Sequence, residues 1–395
     1  MFSKAYIPHR GYFCSPFVRW QGSFQNENAI ELAATVVRKG LADRNIDPKS
    51  FDGLFLGYTI PQVSCFYGAP WLAGMIGAEG VSGPIFSQAC ATGATELAHA
   101  AMAVDTGANS NIIAVTADRC SNGPHLVYPN PNGPGGMPIK EDWVMDNFGN
   151  DPWAKNAMIQ TAENVAKDTT FTREDCDELT LKRYRQYIAA LENDRAFQKQ
   201  YMVAAEIRMG KKMVVVDADE GVMETTAEGL GRLKPVIPGG IHTFGSQTHP
   251  ADGNAAVIVA TKDQAKALSQ DKSVVIQLLS YGYARAKKGY MAAAVAPSAR
   301  MALDKAGIKV SDLKAVKTHN PFAVNDLNMI QEMGLDPEIV NNYGSSLIFG
   351  HPQGPTGARC VIELIEELIL LGGGYGLFAG CAAGDTAAAL TVKVG

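Results

Sequence analysis

The hydrophobic and polar positions of this chain follow one pattern twice. The segment "LADRNIDPKSFDGLFLG" starts at Leu41, and "LDKAGIKVSDLKAVKTH" starts at Leu303. Each segment predicts the end of an amphipathic helix, a short loop and then a buried strand. The same spacing separates further apolar positions of the two segments: Ile46 from Ile308, Phe51 from Leu313, and Leu54 from Val316. This internal similarity predicts two related halves.

A second shared feature follows in each half, where a predicted strand leads through a turn of small residues into a helix. In "PIFSQACATGATELAHAAMAV" the turn carries Cys90, and in "SLIFGHPQGPTGARCVIELIEELI" it carries His351. Both halves then close with β-rich runs, "NAAVIVATKD" and "TAAALTVKVG". Alternating strands and helices predict an α/β fold with parallel or mixed sheets covered by helices.

The middle of the chain fits neither copy. Its run "YPNPNGPGGMP" is too rich in proline and glycine for regular structure. Two helical patterns follow, one starting near Met158 and one whose N-cap is Thr172 with Asp175 three residues later. We predict three units: a first half, 1–118 plus 246–270; an inserted lid or loop domain, 119–245; and a second half, 271–395. The alternative is an insertion without a functional role, which is uncommon at this length.

Composition narrows the classes of function. Of the 395 residues, 46% are hydrophobic and 19% charged, which is typical of a globular enzyme. The formal net charge of −5 argues against a nucleic acid or an anionic membrane as a partner. The chain contains no apolar run of the roughly 18 residues that span a bilayer. Seven cysteines without a Cys-x-x-Cys pair argue against disulfides and zinc sites, so we expect a reducing cytoplasm.

Four reactive side chains lie at four predicted turns. Cys90 precedes a helix whose free N–H groups favour a thiolate and could hold an oxyanion. His351 occupies the equivalent turn of the other half, from which it could accept the proton of Cys90. His319 and Cys381 each follow or end a buried strand. Each residue alone is also consistent with a buried structural side chain, but the four together predict a catalytic site.

These segments resemble the thiolase family over nearly the whole chain. "QACATG" resembles its nucleophile segment, which implies that Cys90 is acylated. "GHPQGPTG" resembles the motif whose histidine activates that cysteine, which implies this role for His351. "GCAAG" resembles the motif whose cysteine exchanges a proton with the substrate carbon, which implies this role for Cys381. "GSQTHPADGNAAVIV" is similar to the segment in which a serine, here Ser246, lies near the pantetheine, and "TAENVAKDTTFTREDCDELTLKRYRQ" is similar to the loop-domain helices.

The resemblance implies a duplicated, five-layered α-β-α-β-α core with an inserted loop domain. It also implies oxyanion donors from Cys90, Ala383 and His319. Substrate or CoA contacts are expected from four residues: Ser246, Gln247, Phe322 and Met158. Two departures from the family pattern stand out. His-Asn-Pro-Phe at 319–322 replaces Asn-Glu-Ala-Phe, as in sterol-carrier-type thiolases, and Ala383 replaces a glycine.

The implied activity is cleavage or formation of a 3-oxoacyl-CoA through a Cys90 acyl-enzyme. Coenzyme A is then a substrate, with no bound cofactor and no metal. The implied assembly is a homodimer or a dimer of dimers. Two alternatives stay open: a decarboxylating ketoacyl-synthase-like enzyme, and a non-catalytic acyl-CoA-binding subunit. A finer hypothesis is an aromatic substrate such as benzoylsuccinyl-CoA, handled with a small partner that carries a zinc ribbon and an OB-fold. The aromatic-rich stretch "GYFCSPFVRWQGSF" would suit such a partner, an aromatic acyl pocket or the core.

Overall fold

The computed structural model describes residues 1–395. The strands are β1 (Tyr6–Ile7), β2 (Tyr12–Cys14), β3 (Val18–Arg19), β4 (Gly53–Gly57), β5 (Ile85–Phe86), β6 (Asn111–Arg119), β7 (His125–Tyr128), β8 (Ile139–Asp142), β9 (Ala205–Met209), β10 (Lys212–Val216), β11 (Ala251–Ala260), β12 (Ile276–Arg285), β13 (Leu313–His319), β14 (Gly374–Ala382) and β15 (Thr386–Val394). The helices are α1 (Ala29–Asp43), α2 (Gly68–Ile76), α3 (Thr92–Thr106), α4 (Met145–Gly149), α5 (Met158–Asp168), α6 (Arg173–Arg195), α7 (Ala227–Gly231), α8 (Lys262–Leu268), α9 (Val295–Ala306), α10 (Ala323–Met333), α11 (Ser346–Phe349) and α12 (Gly354–Leu370).

The first and the second half of the chain each contribute one half of a single large sheet. Its strand order is β13-β14-β15-β12-β1-β11-β6-β4-β5, and β2 and β3 also pair with β11. The short strand β1 joins the halves, because Tyr6 pairs with Ala260 of β11 on one side and with Gln277 of β12 on the other. Each half mixes long antiparallel pairing with one parallel pair. The first half has the antiparallel pair β6–β11 and the parallel pair β4–β6. The second has the antiparallel pairs β12–β15 and β14–β15 and the parallel pair β13–β14.

Helices cover both halves of this sheet and fill the space between the two halves. Helices α1 and α2 pack outside the first half of the sheet, α9 and α10 lie outside the second, and α3 and α12 lie between the two. Because α12 is covered on both sides, every residue from Gly354 to Leu368 is buried. The predicted five-layered α-β-α-β-α core is confirmed. The division into 1–118 plus 246–270, 119–245 and 271–395 stays our proposal.

The repeated sequence pattern corresponds to repeated structure, with one exception. Helix α1 leads to β4 as α9 leads to β13, as predicted. The predicted strand in "SLIF" is wrong, because these residues form the helical turn α11. Asn320 Oδ1 accepts hydrogen bonds from the Leu347 N–H at 3.1 Å and the Ser346 hydroxyl at 3.2 Å, which fixes the backbone as a turn. This turn places Ser346 next to His319.

The aromatic-rich N-terminal stretch belongs to the core. Four of its aromatic residues are completely buried: Tyr12, Phe13, Phe17 and Phe24. Their rings pack within three separate hydrophobic clusters of the protein. Of the interpretations left open by the sequence, the partner interface and the acyl pocket are therefore wrong for these four rings, and the core interpretation is confirmed.

The inserted segment contains the predicted helices α5 and α6. Thr172 caps α6 in a capping box with Asp175, as expected. The proline- and glycine-rich run forms the tip of the antiparallel hairpin β7–β8. No helix of the chain has the length and apolar character that a membrane crossing requires.

A buried ion-pair network links the inserted segment to the central helix α12. Arg359 donates to both carboxylate oxygens of Asp219, at 2.7 and 2.8 Å, and to Glu363 at 2.9 Å. The Asp219 and Arg359 side chains are fully buried. The guanidinium also lies 3.8 Å from the ring centroid of Phe349. Because Asp219 follows β10 and α12 begins beside the His351 turn, the network fixes the inserted segment relative to that turn.

We expect Asp219→Ala to lower the free energy of unfolding by about 3–5 kcal/mol, because it leaves a buried guanidinium with one carboxylate partner fewer. Denaturant unfolding measures this change. Glu228→Ala is the matched control, since it removes the carboxylate of the exposed Arg232–Glu228 pair and should cost under about 1 kcal/mol. Equal costs in the two variants would contradict a stabilising role for the buried network.

Candidate active site

Cys90 lies in a strained turn between β5 and α3. The preceding residue, Ala89, has a φ of 44°, a backbone angle that residues other than glycine rarely adopt. The Thr92 hydroxyl holds this turn: it accepts from the Gln88 N–H at 2.8 Å and donates to the Ala89 carbonyl at 2.7 Å. As a result the Cys90 thiol is only half-buried, and it faces a cavity. The turn thus presents the thiol at the surface of the cavity.

The structure brings both predicted histidines to this thiol. The rings of His319 and His351 stack, with centroids 4.0 Å apart. One nitrogen of each ring and Cys90 Sγ all lie within 4.8 Å of one another. A hydroxyl group is hydrogen-bonded to each Nδ1 atom. The Ser346 oxygen lies 2.9 Å from His319 Nδ1, and the Thr356 oxygen lies 2.6 Å from His351 Nδ1. Both Nε2 atoms are buried and have no hydrogen-bond partner within the protein. Of the two rings, His351 lines the cavity and His319 is fully buried beside it.

Burial controls the protonation of this cluster. It lowers the pKa of His319 to about 3 and that of His351 well below its usual value, so both rings are neutral at physiological pH. Burial also raises the pKa of Cys90 to about 12, although the backbone N–H groups of Ala383 and Cys90 itself act in the opposite direction. The sequence-based expectation of a stabilised thiolate is therefore wrong for the resting site, because desolvation outweighs the helix end.

This protonation state predicts how Cys90 reacts with iodoacetamide. Below a thiol pKa of about 12 the thiolate fraction rises tenfold per pH unit, so the alkylation rate of Cys90 should keep rising between pH 6 and 10. Peptide mapping of alkylated Cys90 over time measures the rate. A plateau reached below pH 9 would instead indicate a thiolate paired with an imidazolium in the resting enzyme.

Cys381 lies near the cluster but outside it. It is fully buried at the end of β14, and the Asn325 side-chain amide donates to its sulfur at 3.1 Å. Burial raises the pKa of Cys381 well above its usual value, and the nearby Cys90 raises it further. Ala383, two residues later, lines the cavity. Asn325 was not singled out in the sequence, where it lies in an amphipathic helix without a recognisable motif.

Gln353 is a second residue that sequence reasoning missed. The Cys90 thiol donates to its Oε1 at 3.2 Å, and Gln353 also lines the cavity. Its φ of 64° is a further strained position beside the nucleophile. The next residue, Gly354, donates its N–H to the buried Asp118 at 2.9 Å, which anchors the start of α12. The glutamine stands within the "GHPQGPTG" motif, so its position in the sequence was the available signal.

The cluster opens into a cavity of about 520 Å³. Three of the four predicted substrate contacts line it: Met158, Gln247 and Phe322. Ser246 does not line it, because its side chain is fully buried and its hydroxyl accepts from the Thr243 N–H at 2.9 Å. Thr248, two residues further along, does line the cavity. Aromatic rings of Trp143 and Phe148 and the Met291 side chain complete its apolar walls.

The predicted site residues thus fall into three groups. Cys90, His319 and His351 form one cluster, and Cys381 is buried outside it. The third group lines the cavity: Ala383, Met158, Gln247 and Phe322. Ser246 belongs to none of these groups. A cavity of this size can accept a molecule that presents an electrophilic carbon to the Cys90 thiol.

Comparison with known proteins identifies the family of the chain. The thiolase N-terminal domain family matches residues 13–263, and the thiolase C-terminal domain family matches residues 272–394. The chain is 28% identical over 371 residues to the beta-ketothiolase BktB of Cupriavidus necator, covering 92% of each chain. It is 29% identical over 383 residues to the acetyl-CoA acetyltransferase of Paracoccus denitrificans, covering 96% of this chain and 97% of the relative. The crystal structure of the Bacillus anthracis acetyl-CoA acetyltransferase superposes with a TM-score of 0.91 at 27% identity, covering 100% of this chain and 99% of that one. Because the two family domains together account for nearly all of its residues, this chain belongs to the thiolase family.

Proposed function

We propose that the protein is a thiolase-type acyltransferase that cleaves or forms 3-oxoacyl-CoA through an acyl-enzyme on Cys90. The single observation that carries the proposal is the cluster of the Cys90 thiol and two neutral imidazoles at a cavity, within a chain of the thiolase family. The similarity to relatives named acetyl-CoA acetyltransferase and beta-ketothiolase supports the same reaction class. Coenzyme A is then a substrate, and the reaction requires no bound cofactor or metal.

The first half-reaction forms the acyl-enzyme. Cys90 Sγ attacks the 3-oxo carbon, its proton passes to the neutral His351, and the bond between the second and third carbons breaks. Backbone N–H groups of Cys90 and Ala383 are our candidates for the acyl oxyanion, since both already act on Cys90 Sγ. A CoA thiol then takes the acyl group and returns Cys90 to its thiol form.

The carbon–carbon step needs a second proton carrier and a second oxyanion donor. The departing carbon of the smaller acyl-CoA must gain a proton, and we assign the donor as Cys381. Its thiolate then takes the proton of the incoming CoA thiol, while His351 returns its own proton to Cys90. We assign His319 Nε2–H as the donor to the enolate oxygen of that acyl-CoA. The ring carries its proton on Nε2 when the Ser346 hydroxyl, 2.9 Å from Nδ1, donates its proton to Nδ1 in place of Asn320 Oδ1.

The cavity walls support proposed contacts for the pantetheine and acyl groups. Met158, Gln247 and Phe322 stay our candidates for these contacts. Ser246 is fully buried, so we prefer Thr248, which lines the cavity, as the hydroxyl of that segment that contacts the substrate. The aromatic walls from Trp143 and Phe148 support the finer hypothesis of an aromatic acyl group, such as that of benzoylsuccinyl-CoA.

Two statements on partners also remain proposals. A homodimer, or a dimer of dimers, is supported by β5, an edge strand that pairs with β4 on one side only, and by the exposed rings of Phe66 and Tyr67. A small partner with a zinc ribbon and an OB-fold has no further support, because the four N-terminal rings that suited it are buried.

Thiolysis assays test the proposal. The purified protein would receive CoA and a panel of 3-oxoacyl-CoAs, short, long and aromatic, with product formation followed by chromatography. Turnover of at least one of them supports the thiolase assignment, and its identity defines the acyl group. Turnover only with malonyl-type donors and release of CO₂ would favour the ketoacyl-synthase alternative. No turnover and no acyl adduct on Cys90 would favour a non-catalytic acyl-CoA-binding protein.

His319→Ala should lower turnover by about 10²–10³, because it removes one oxyanion donor. His319→Asn should keep partial activity, since a bridging water can restore a donor. We expect acylation of Cys90 to suffer less than the carbon–carbon step in both variants, and separate assays of the two half-reactions measure this. Equal losses in both would show that His319 does not act at the enolate oxygen. Full activity of His319→Ala would assign this histidine a structural role.

A further inference from the structure

Cys90 and His351, which line the cavity, and the buried His319 beside them are also a set of metal ligands. We propose that Cys90, His319 and His351 form a binding site for a thiophilic divalent cation of the zinc class, and that the bound cation inhibits the enzyme. One thiolate and two imidazoles are among the preferred ligands of Zn²⁺. The three donor atoms lie within 4.8 Å of one another. Binding at this site does not depend on the proposed acyltransferase function, but the inhibition does.

The geometry around the two imidazoles favours a metal. A histidine that binds a metal usually has its other ring nitrogen fixed by a hydrogen bond. Here hydroxyl oxygens already contact both Nδ1 atoms, from Ser346 and from Thr356. Each hydroxyl can accept an Nδ1–H, which leaves a lone pair on Nε2. Both Nε2 atoms are buried without a protein partner, His319 being 0% and His351 4% exposed.

The three donor atoms would have to move only slightly closer together to bind one ion. Bonds of roughly 2.0–2.3 Å to a tetrahedral ion put its ligand atoms roughly 3.5 Å apart, so the cluster would contract by about 1 Å. The half-buried Cys90 can supply this movement because it faces the cavity. Gln353 Oε1, 3.2 Å from Cys90 Sγ, is close enough to act as the fourth donor. The fully buried Cys381 is not part of the cluster.

Binding and acylation exclude each other chemically. The cation replaces the proton of the Cys90 thiol: the S–H bond breaks, an S–metal bond forms and one proton is released to solvent. The sulfur lone pair that would attack an acyl-CoA is then engaged, as are the nitrogens that would accept its proton. An acyl-enzyme, conversely, has no thiolate to offer. Removal of the cation by a chelator should restore the free thiol and with it the activity.

Cobalt(II) provides a direct test, because a cobalt–thiolate bond has an intense near-ultraviolet charge-transfer absorption that cobalt bound to histidines alone does not have. Titration of the full-length protein with CoCl₂ should produce this band with a stoichiometry of one cation per chain. Competition by ZnCl₂ should remove the band, and EDTA should reverse the binding. Enzyme alkylated at Cys90 with iodoacetamide should show no band, and Cys65→Ser should keep the band, which excludes the other partly exposed cysteine of the chain as its source.

The matched variant is His319→Asn, which keeps Cys90 and His351 and removes one ligand. Loss of an outer-shell partner weakens metal sites by about 10–100-fold, so loss of a direct ligand should weaken cobalt binding by more than about 100-fold. Circular dichroism and gel filtration establish that the variant is folded, and His319→Gln provides a second variant. Absence of the band in the parent protein, its survival after Cys90 alkylation, or unchanged affinity in both His319 variants would each overturn the proposal.

Discussion

Replacement of Cys90 by serine is expected to abolish formation of the acyl-enzyme. A serine hydroxyl is a far weaker acid than a thiol, so the nearby imidazole of His351 cannot produce a useful amount of alkoxide at neutral pH. The surrounding turn should tolerate the change, since Cys90 is half-buried and faces the cavity. Mass spectrometry of the intact protein after addition of an acyl-CoA measures the result: we expect an adduct of one acyl group on the parent and none on Cys90→Ser.

The matched control is Cys65→Ser. Cys65 is also free and partly exposed, but it lies outside both the cluster and the cavity lining. This variant should keep the adduct and the parent turnover. An acyl group that persists on Cys90→Ser, and that maps to another cysteine after digestion, would remove Cys90 from the mechanism and with it the proposed function.

Much of the fold was predictable because duplication doubles a weak signal. One amphipathic helix followed by a buried strand is ambiguous, but the repeat at Leu41 and Leu303 made the interpretation consistent in both halves. The Thr172 cap was predictable for another reason, since a capping box depends only on residues three apart. The helical turn α11 was not predictable, because its backbone follows hydrogen bonds to Asn320, which precedes it by more than 20 residues.

The site shows the same division between local and long-range causes. The sequence indicated Cys90, His319 and His351 because each stands in a distinctive turn or strand end, and the fold brings them together. It did not indicate that the resting thiol is protonated, because the charge state depends on burial by residues from both halves. Gln353 and Asn325, which contact the two sulfurs, were missed for the same reason: a glutamine or asparagine acquires a role only through what the fold places beside it.

Cys381→Ala should separate the two half-reactions. Transfer of an acyl group from acyl-CoA to Cys90 requires Cys90, His351 and the backbone donors, and none of these contacts the Cys381 side chain in a hydrogen bond. Formation of the carbon nucleophile requires a base that removes a proton next to the thioester, and Cys381 is our candidate. We therefore expect the variant to be acylated at nearly the parent rate but to lose exchange of those protons with solvent. Incubation with acetyl-CoA in D₂O, followed by mass spectrometry of the acetyl group, measures the exchange.

Cys360→Ala is the matched control, because Cys360 is also a fully buried free cysteine but hydrogen-bonds the Thr318 carbonyl in the core. Both variants remove a buried sulfur, so both should lose some stability by forming a cavity of similar size. Only Cys381→Ala should lose deuterium incorporation.

If acetyl-CoA proves not to be the donor, the exchange is measured on the matching carbon of whichever substrate the thiolysis panel identifies. Deuterium entering at the parent rate in Cys381→Ala would show that this thiol is structural and that another group removes the proton. A parallel loss in Cys360→Ala would show that the effect comes from destabilisation of the core and not from the missing thiol of Cys381.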